Sequence, residues 1–258
     1  MRFKVTGRSN SRIRASRSLS SRSGILKHGL FLMEGPRYIR DQMKFSSPRW
    51  IMLSTEPTSH SQRVADEAVS AGVDVLDLSD DMFQSIADTV NSQGILGVFP
   101  LEEPEPDALQ GEGVYILLDG VSDPGNVGTI IRSAAAFGCR AVITGKGCCC
   151  PFIPKVTRAS AGTNGRIPVF MDRDLGEFIN GHREEISFIG ADAGGGPMDL
   201  LWKSCGKLGI VIGSEAEGIS SRIRPLLKAT VSIPMEAGVE SLNAGVSASI
   251  ILYQATRV

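Results

Sequence analysis

The chain has 258 residues, 42% of them hydrophobic and 21% charged, with a formal net charge of −1; that length can bury one large core or two modest ones. No run of about 18 apolar residues occurs, so nothing in it reads as a membrane-spanning helix. Its five cysteines do not form a disulfide framework: Cys148, Cys149 and Cys150 are adjacent, Cys139 and Cys205 stand alone, and no C-x-x-C pair offers a metal site. Reduced thiols, a cytoplasmic setting and no bound metal are the expectation.

Charge is unevenly spread along the chain. Residues 1–50 hold twelve Lys and Arg against only Glu34 and Asp41, and the remainder is acidic. A basic end on an acidic body suits a module that faces nucleic acid, because phosphate neutralisation supplies most non-specific affinity. A solvated basic tail has the same composition. Residues 1–24, rich in Arg and Ser and free of acids, also match a mitochondrial transit peptide.

From residue 30 strand and helix signals alternate. LFLMEG (30–35) reads as a strand, PRYIRDQM (36–43) as a helix with Pro36 in its first turn, and WIMLS (50–54) as a short buried strand. A helix over 61–72 stops at Gly72; a strand over 73–78, a helix over 80–90 and a strand over 95–99 complete a small α/β domain. PLEEPEPDALQGEG (100–113) is proline-rich, acidic and without apolar period, which marks a linker. The expected organisation is therefore a domain over 1–99, a linker over 100–113 and a second domain over 114–258.

The second domain restarts the alternation. Strands are expected at 114–120, 140–145, 166–170, 186–191, 206–213 and 229–234. Helices are expected at 127–137, near 154–162, at 174–181, near 220–227 and from 242 to 256. The reading is α/β with a largely parallel sheet. In the helix after DPGNVG, Arg132 stands among Val127, Ile130, Ile131, Ala134, Ala135 and Phe137. Burying an unpaired guanidinium there would cost several kcal/mol, on the order of an ion's desolvation, so a partner or a ligand is expected for it.

Three polar loops each follow a buried strand: SDPGNVG (122–128), GSEAEG (213–218) and PMEAGVESLNAG (234–245). Ligands of α/β sheets bind beyond the carboxyl ends of strands, so the three can share one site. The first lacks the G-x-G-x-x-G spacing of a dinucleotide fold and the Gly-Lys-Ser/Thr of a phosphate loop.

In order and spacing, LLDGVSDPGNVGTIIRSAAAFG (117–138), GIVIGSEAEGIS (209–220) and IPMEAGVESLNAGVSASI (233–250) resemble the three motifs of the SpoU/TrmH family of RNA ribose 2′-O-methyltransferases, in the SPOUT superfamily. RASAG (158–162) resembles a further family segment, whereas TNGR (163–166) is more polar than the family pattern. Residues 11–35 and 81–99 resemble the RNA-binding domain that precedes many members, whose fold is like that of certain kink-turn-binding ribosomal proteins.

The resemblance implies a carboxyl-terminal trefoil knot, S-adenosylmethionine bent within it, and a homodimer whose active site uses both chains. Gly213, Ile233 and Leu242 match cofactor-contacting positions, with Thr144, Gly145, Ile212 and Met235 as neighbours. Asn126, Arg132, Glu215, Ser241 and Asn243 match the polar active-site set. The implied substrate is structured RNA, ribosomal RNA ahead of tRNA.

In the family the arginine is assigned the activation of the 2′-hydroxyl, as a base; on physical grounds a charged guanidinium clamping the phosphate and the emerging alkoxide, or one sharing the proton with a nearby phosphate, are the alternatives. Glu215 would orient it. Asn126 would bind ribose or lock its turn, and Ser241 would cap the last helix with Asn243 in the first turn. Gly245, costly inside a helix by up to about 1 kcal/mol, points to a close backbone approach. A non-catalytic RNA-binding factor and a nucleotide-dependent oxidoreductase are the competing classes.

Overall fold

The computed structural model describes residues 1–7, 9–198, 206–236, 238 and 241–256. Part of the 234–245 loop (Ala237, Val239 and Glu240) lies outside the described residues, as does Cys205. The chain divides into two units. One comprises Met1–Glu102 with Phe152–Gly162, the other Glu103–Pro151 with Thr163–Val258.

The first unit is built on five strands, β1 (Arg2–Lys4), β2 (Leu30–Glu34), β3 (Trp50–Leu53), β4 (Val75–Asp77) and β5 (Ile95–Pro100), in the order β1-β4-β3-β5-β2. β1, β4 and β3 are parallel; β5 runs antiparallel to both β3 and β2. Helices α1 (Ser11–Ser18), α2 (Arg22–His28), α3 (Pro36–Gln42), α4 (Ser59–Ser70) and α5 (Asp80–Gln84) connect them.

The basic amino-terminal stretch is part of this unit. Ile13, Leu19 and Ile25 are fully buried, and the Trp50 indole N–H donates to Ser16 Oγ at 3.2 Å. A solvated tail is thereby corrected: a few apolar anchors are enough to fix two amphipathic helices whose outer faces carry the cations. α5 is also shorter than expected, ending at Gln84. The Glu34 carboxylate takes the Asp88 N–H at 3.0 Å and the Thr89 hydroxyl, drawing the chain out of helix.

The second unit contains a six-stranded sheet, entirely parallel. Its strands are β6 (Gly113–Asp119), β7 (Ala141–Gly145), β8 (Val169–Arg173), β9 (Ser187–Gly196), β10 (Lys207–Gly213) and β11 (Ala229–Val231), in the order β11-β9-β10-β6-β7-β8. The centre is the β10–β6 pair, in register from Lys207–Gly113 to Gly213–Asp119. Both faces are covered, which is why its strands read as continuous apolar runs. One face packs Tyr115, Leu117, Ile143, Phe188 and Val211 against Leu175 and Ile179, the latter two from α8 (Leu175–His182).

Helices α6 (Pro124–Ala136) and α9 (Ala244–Ala255) also belong to this unit and pack against each other. They meet along matched i, i+4 positions. A Cβ on Gly245 would lie 3.0 Å from Thr129 Cβ, Ser133 and Ser249 share a 2.6 Å hydrogen bond, and Phe137 meets Tyr253 edge-on at 5.6 Å. The two helices therefore run in the same direction, and the close approach expected at Gly245 is to α6.

Three further elements shift. The helix expected near 220–227 is a single 3-10 turn, Arg224–Leu226, and β8 begins three residues late, after Pro168. The short helix near 154–162 is α7 (Pro154–Ala159); it clusters with the first unit, where Phe152 packs on Phe31 at 5.1 Å. Cys139 and Cys148 are free thiols. Burial pushes Cys139 up to about 12 and raises Cys148 as well, which keeps both protonated.

Candidate functional site

The sheet order reverses between β6 and β10, and a cavity of about 430 Å³ lies at the carboxyl ends of β10 and β11, beside Ala191, Asp192 and Ala193 of β9. Its apolar wall is Ile212, Val231, Ile233, Met235, Leu242 and Ile251; its polar wall includes Ser214, Ser241, Asn243 and Ser247. Two acids line it, Asp192 and Glu215, and no cation does among the described residues.

Glycine decides the shape of the first wall. A Cβ on Gly213 would fall 2.0 Å from the Gly218 carbonyl carbon, so the chain can fold back on itself only here without a side chain. Ser214 and Gly218 exchange backbone hydrogen bonds at 3.0 Å, Gly218 adopts φ +67°, and the Glu217 N–H donates to Ser214 Oγ at 3.2 Å. Asp119, at the end of β6, accepts the Ser220 N–H at 2.8 Å and ties the far end of this loop to the sheet. Glu215 is thus presented at the tip of a braced turn.

α6 supplies the opposite partner. Asp123 caps it by accepting the Asn126 N–H at 2.8 Å, which places Asn126 in the first helical turn rather than in a preceding loop. Asn126 is buried, and its amide donates to the Glu215 carboxylate. This single bond joins the first and second polar loops. The third ends on Asn243, whose side chain accepts the Val246 N–H at 3.2 Å; Asn243, not Ser241, caps α9.

Of the twelve residues singled out by sequence, Ile212, Gly213, Ile233, Met235, Leu242, Glu215, Ser241 and Asn243 line the cavity, and Asn126 reaches it through Glu215. Thr144 and Gly145 do not line it. They are buried on β7, where Thr144 Oγ1 accepts the Asp172 N–H at 3.3 Å.

Arg132 is corrected in one respect: it is exposed, and it makes no ion pair or hydrogen bond with any described residue. The apolar residues Val127, Ile130, Ile131 and Ala134 turn to the core, while Gly125, Thr129, Arg132, Ser133 and Ala136 form the other face. Its neighbours in sequence are apolar, but its face of the helix is not. Glu215 is held by Asn126, not by Arg132.

Sequence reasoning missed Asp192. It lies in the ISFIGADAGGG segment just beyond the apolar core of a strand; an acid at that place in an α/β sheet was the available signal.

A parallel α/β unit with a cavity at the strand ends, walled by the second and third polar loops and by residues 191–193, has the form of a small-molecule-binding domain. Residues 113–253 match the family model described as the SpoU rRNA methylase family, and residues 10–97 match an MRM3-like substrate binding domain. An uncharacterised tRNA/rRNA methyltransferase of Mycobacterium tuberculosis is 32% identical over 81% of this chain and 67% of its own length. Two solved structures are also similar. The AdoMet-bound rRNA methyltransferase from Sinorhizobium meliloti is 25% identical with a TM-score of 0.85, covering 99% of this chain and 98% of the other. The SpoU methyltransferase AviRb from Streptomyces viridochromogenes, in complex with AdoMet, is 25% identical with a TM-score of 0.83, covering 96% and 98%. The chain belongs to the SpoU rRNA methylase family.

Proposed function

We propose that the protein transfers the methyl group of S-adenosylmethionine to a ribose 2′-hydroxyl of structured RNA, ribosomal RNA ahead of tRNA, in the cytoplasm. The observation that carries this reading is the cavity lined by the second and third polar loops, with Glu215 joined to Asn126 of the first. The residues fit the cofactor. About 430 Å³ is within the range of small-molecule sites, Ile212, Ile233 and Leu242 offer branched apolar faces to adenine, and Gly213 leaves the backbone open to its polar edge. Acids without a lining cation suit a ligand that carries positive charge. When bound, S-adenosylmethionine supplies the electrophilic methyl.

The chain's own residues align and shield the reacting atoms. Alignment alone can supply roughly 7–11 kcal/mol of barrier reduction. Asn126 fixes the Glu215 carboxylate, and Ser241 and Asn243 close the wall beside it. Arg132 serves as a clamp for the RNA phosphate and the developing alkoxide.

A second copy of the chain completes the site. Val246, Ile250 and Tyr253 are exposed at 46%, 38% and 39%, and their spacing places them on one stripe of α9, the kind of apolar surface a partner covers. The carboxyl-terminal segment is threaded as a trefoil knot in this reading.

Arg132→Ala is expected to bind S-adenosylmethionine as tightly as the wild type by calorimetry, yet to lose methyl transfer by about 100-fold or more. Mapping methylated positions by resistance to alkaline cleavage identifies the 2′-oxygen. Normal methylation by Arg132→Ala would remove the role given to that residue. Absence of cofactor binding by the wild type would favour the non-catalytic RNA-binding reading.

A further inference from the structure

We propose that Asp192 is a specificity-determining residue of the cavity, its carboxylate accepting a hydrogen bond from a donor group of the cofactor, an ammonium or a ribose hydroxyl. The inference rests on the reading that this cavity holds S-adenosylmethionine, and it adds a polar anchor to the cavity's lining.

β9 is ten residues long, but its pairing with β10 ends at Gly190–Val211. Beyond that point Ala191, Asp192 and Ala193 line the cavity, and Asp192 is the only one of the three with a polar side chain. Its orientation is set from behind. Oδ1 accepts the Gly194 N–H at 3.0 Å, and Oδ2 faces the Arg224 guanidinium. A carboxylate has about four acceptor positions; two are used, and the side chain keeps 22% exposure. Arg224 also holds the carboxyl below its ordinary range, so it is ionised at neutral pH. An oriented, ionised acceptor on a cavity wall that lacks a cation is chemistry for a hydroxyl or an ammonium.

The alternative is that Asp192 and Arg224 only brace the 3-10 turn at Arg224–Leu226. Calorimetry on the full chain separates the two, with S-adenosylmethionine and 5′-methylthioadenosine as probes and thermal melts to verify folding. Asp192→Asn keeps an acceptor for Gly194 and is expected to weaken S-adenosylmethionine binding by about tenfold or more. Asp192→Ser serves the same purpose if the Asn variant does not fold. Arg224→Ala removes the brace, leaves the carboxylate, and is expected to retain most of the affinity. A loss shared by both probes supports a ribose hydroxyl as donor; a loss confined to S-adenosylmethionine supports the ammonium.

Unchanged affinity in a folded Asp192 variant overturns the proposal, and so does an equal loss in Arg224→Ala. A wild type that fails to bind S-adenosylmethionine overturns instead the reading on which it rests.

Discussion

In the first unit Lys4, Arg14, Lys27, Arg37 and Arg49 are exposed and form no ion pair with any described residue. In the second, the cavity wall carries Asp192 and Glu215 and no described cation. The first unit also spends part of its positive charge on itself: Arg2 pairs with Asp77, Arg12 with Asp74, Arg40 with Glu67 and Lys44 with Asp41, at 2.8–3.0 Å. What is left over is a set of surface cations, the feature a polyanion recognises at long range. The second unit offers the reverse, a cavity wall whose charged members are both acids, Asp192 held by Arg224 and the exposed Glu215 held by Asn126. A net charge of −1 conceals both.

The largest expected effect tests the recessed half. Gly213→Ala places a methyl group where the Gly218 backbone already stands, at 2.0 Å. The 213–220 loop must move, and Glu215 with it. S-adenosylmethionine affinity is expected to fall by about 100-fold or beyond detection, since a misplaced wall loses many contacts together, while RNA binding, measured by filter retention on a structured RNA, is retained. Loss of both would mean that the two activities are not divided between the units as the charges suggest.

The surface half is tested by reversing Arg14, Lys27 and Arg37 to Glu together. RNA affinity is expected to drop by about tenfold or more, and the dependence of log K on log salt to flatten by about 0.7 for each phosphate no longer neutralised. Calorimetry with S-adenosylmethionine is expected to be unchanged. An unaltered salt slope would locate the RNA surface elsewhere.

The two units also differ in how far the amino-acid sequence alone reveals them. The second unit was legible because buried parallel strands are continuous apolar runs punctuated by polar loops, and two of those loops hold half of the cavity residues. The first unit's helices α1 and α2 were not, because Ser- and Arg-rich segments with one buried residue per turn look like a solvated tail. α5 stops early through Glu34, some fifty residues distant, which no local pattern reveals.

Arg132 is the instructive case. The 3.6-residue period already separates it from Val127, Ile130, Ile131 and Ala134, yet the apolar composition of the segment suggests burial. Period, not composition, decides which face a helical residue occupies. Asp192 escaped for a different reason: the acid after the apolar run is visible, but its weight comes from β9 outrunning its pairing with β10, a relation between two strands.

The smallest effect concerns how the second unit anchors acids that are not in the cavity. Asp174 caps α8 and is held by Arg222 at 2.5 Å, by the Glu177 N–H at 3.2 Å and by Lys146 at 3.7 Å. Arg222 is the main cause, with the Glu177 N–H next, that lowers its carboxyl to about 2. A carboxyl depressed by folding stabilises the native state fully above its unfolded value near 4, and that contribution disappears as pH falls from about 4 toward about 2. Asp174→Asn keeps a cap acceptor and removes only the charge. Thermal melts are therefore expected to show the variant a few degrees below the wild type at pH 6, with the gap closing between about pH 4 and pH 2. A gap that persists at the lowest pH would assign the loss to capping geometry rather than to the ion pairs with Arg222 and Lys146.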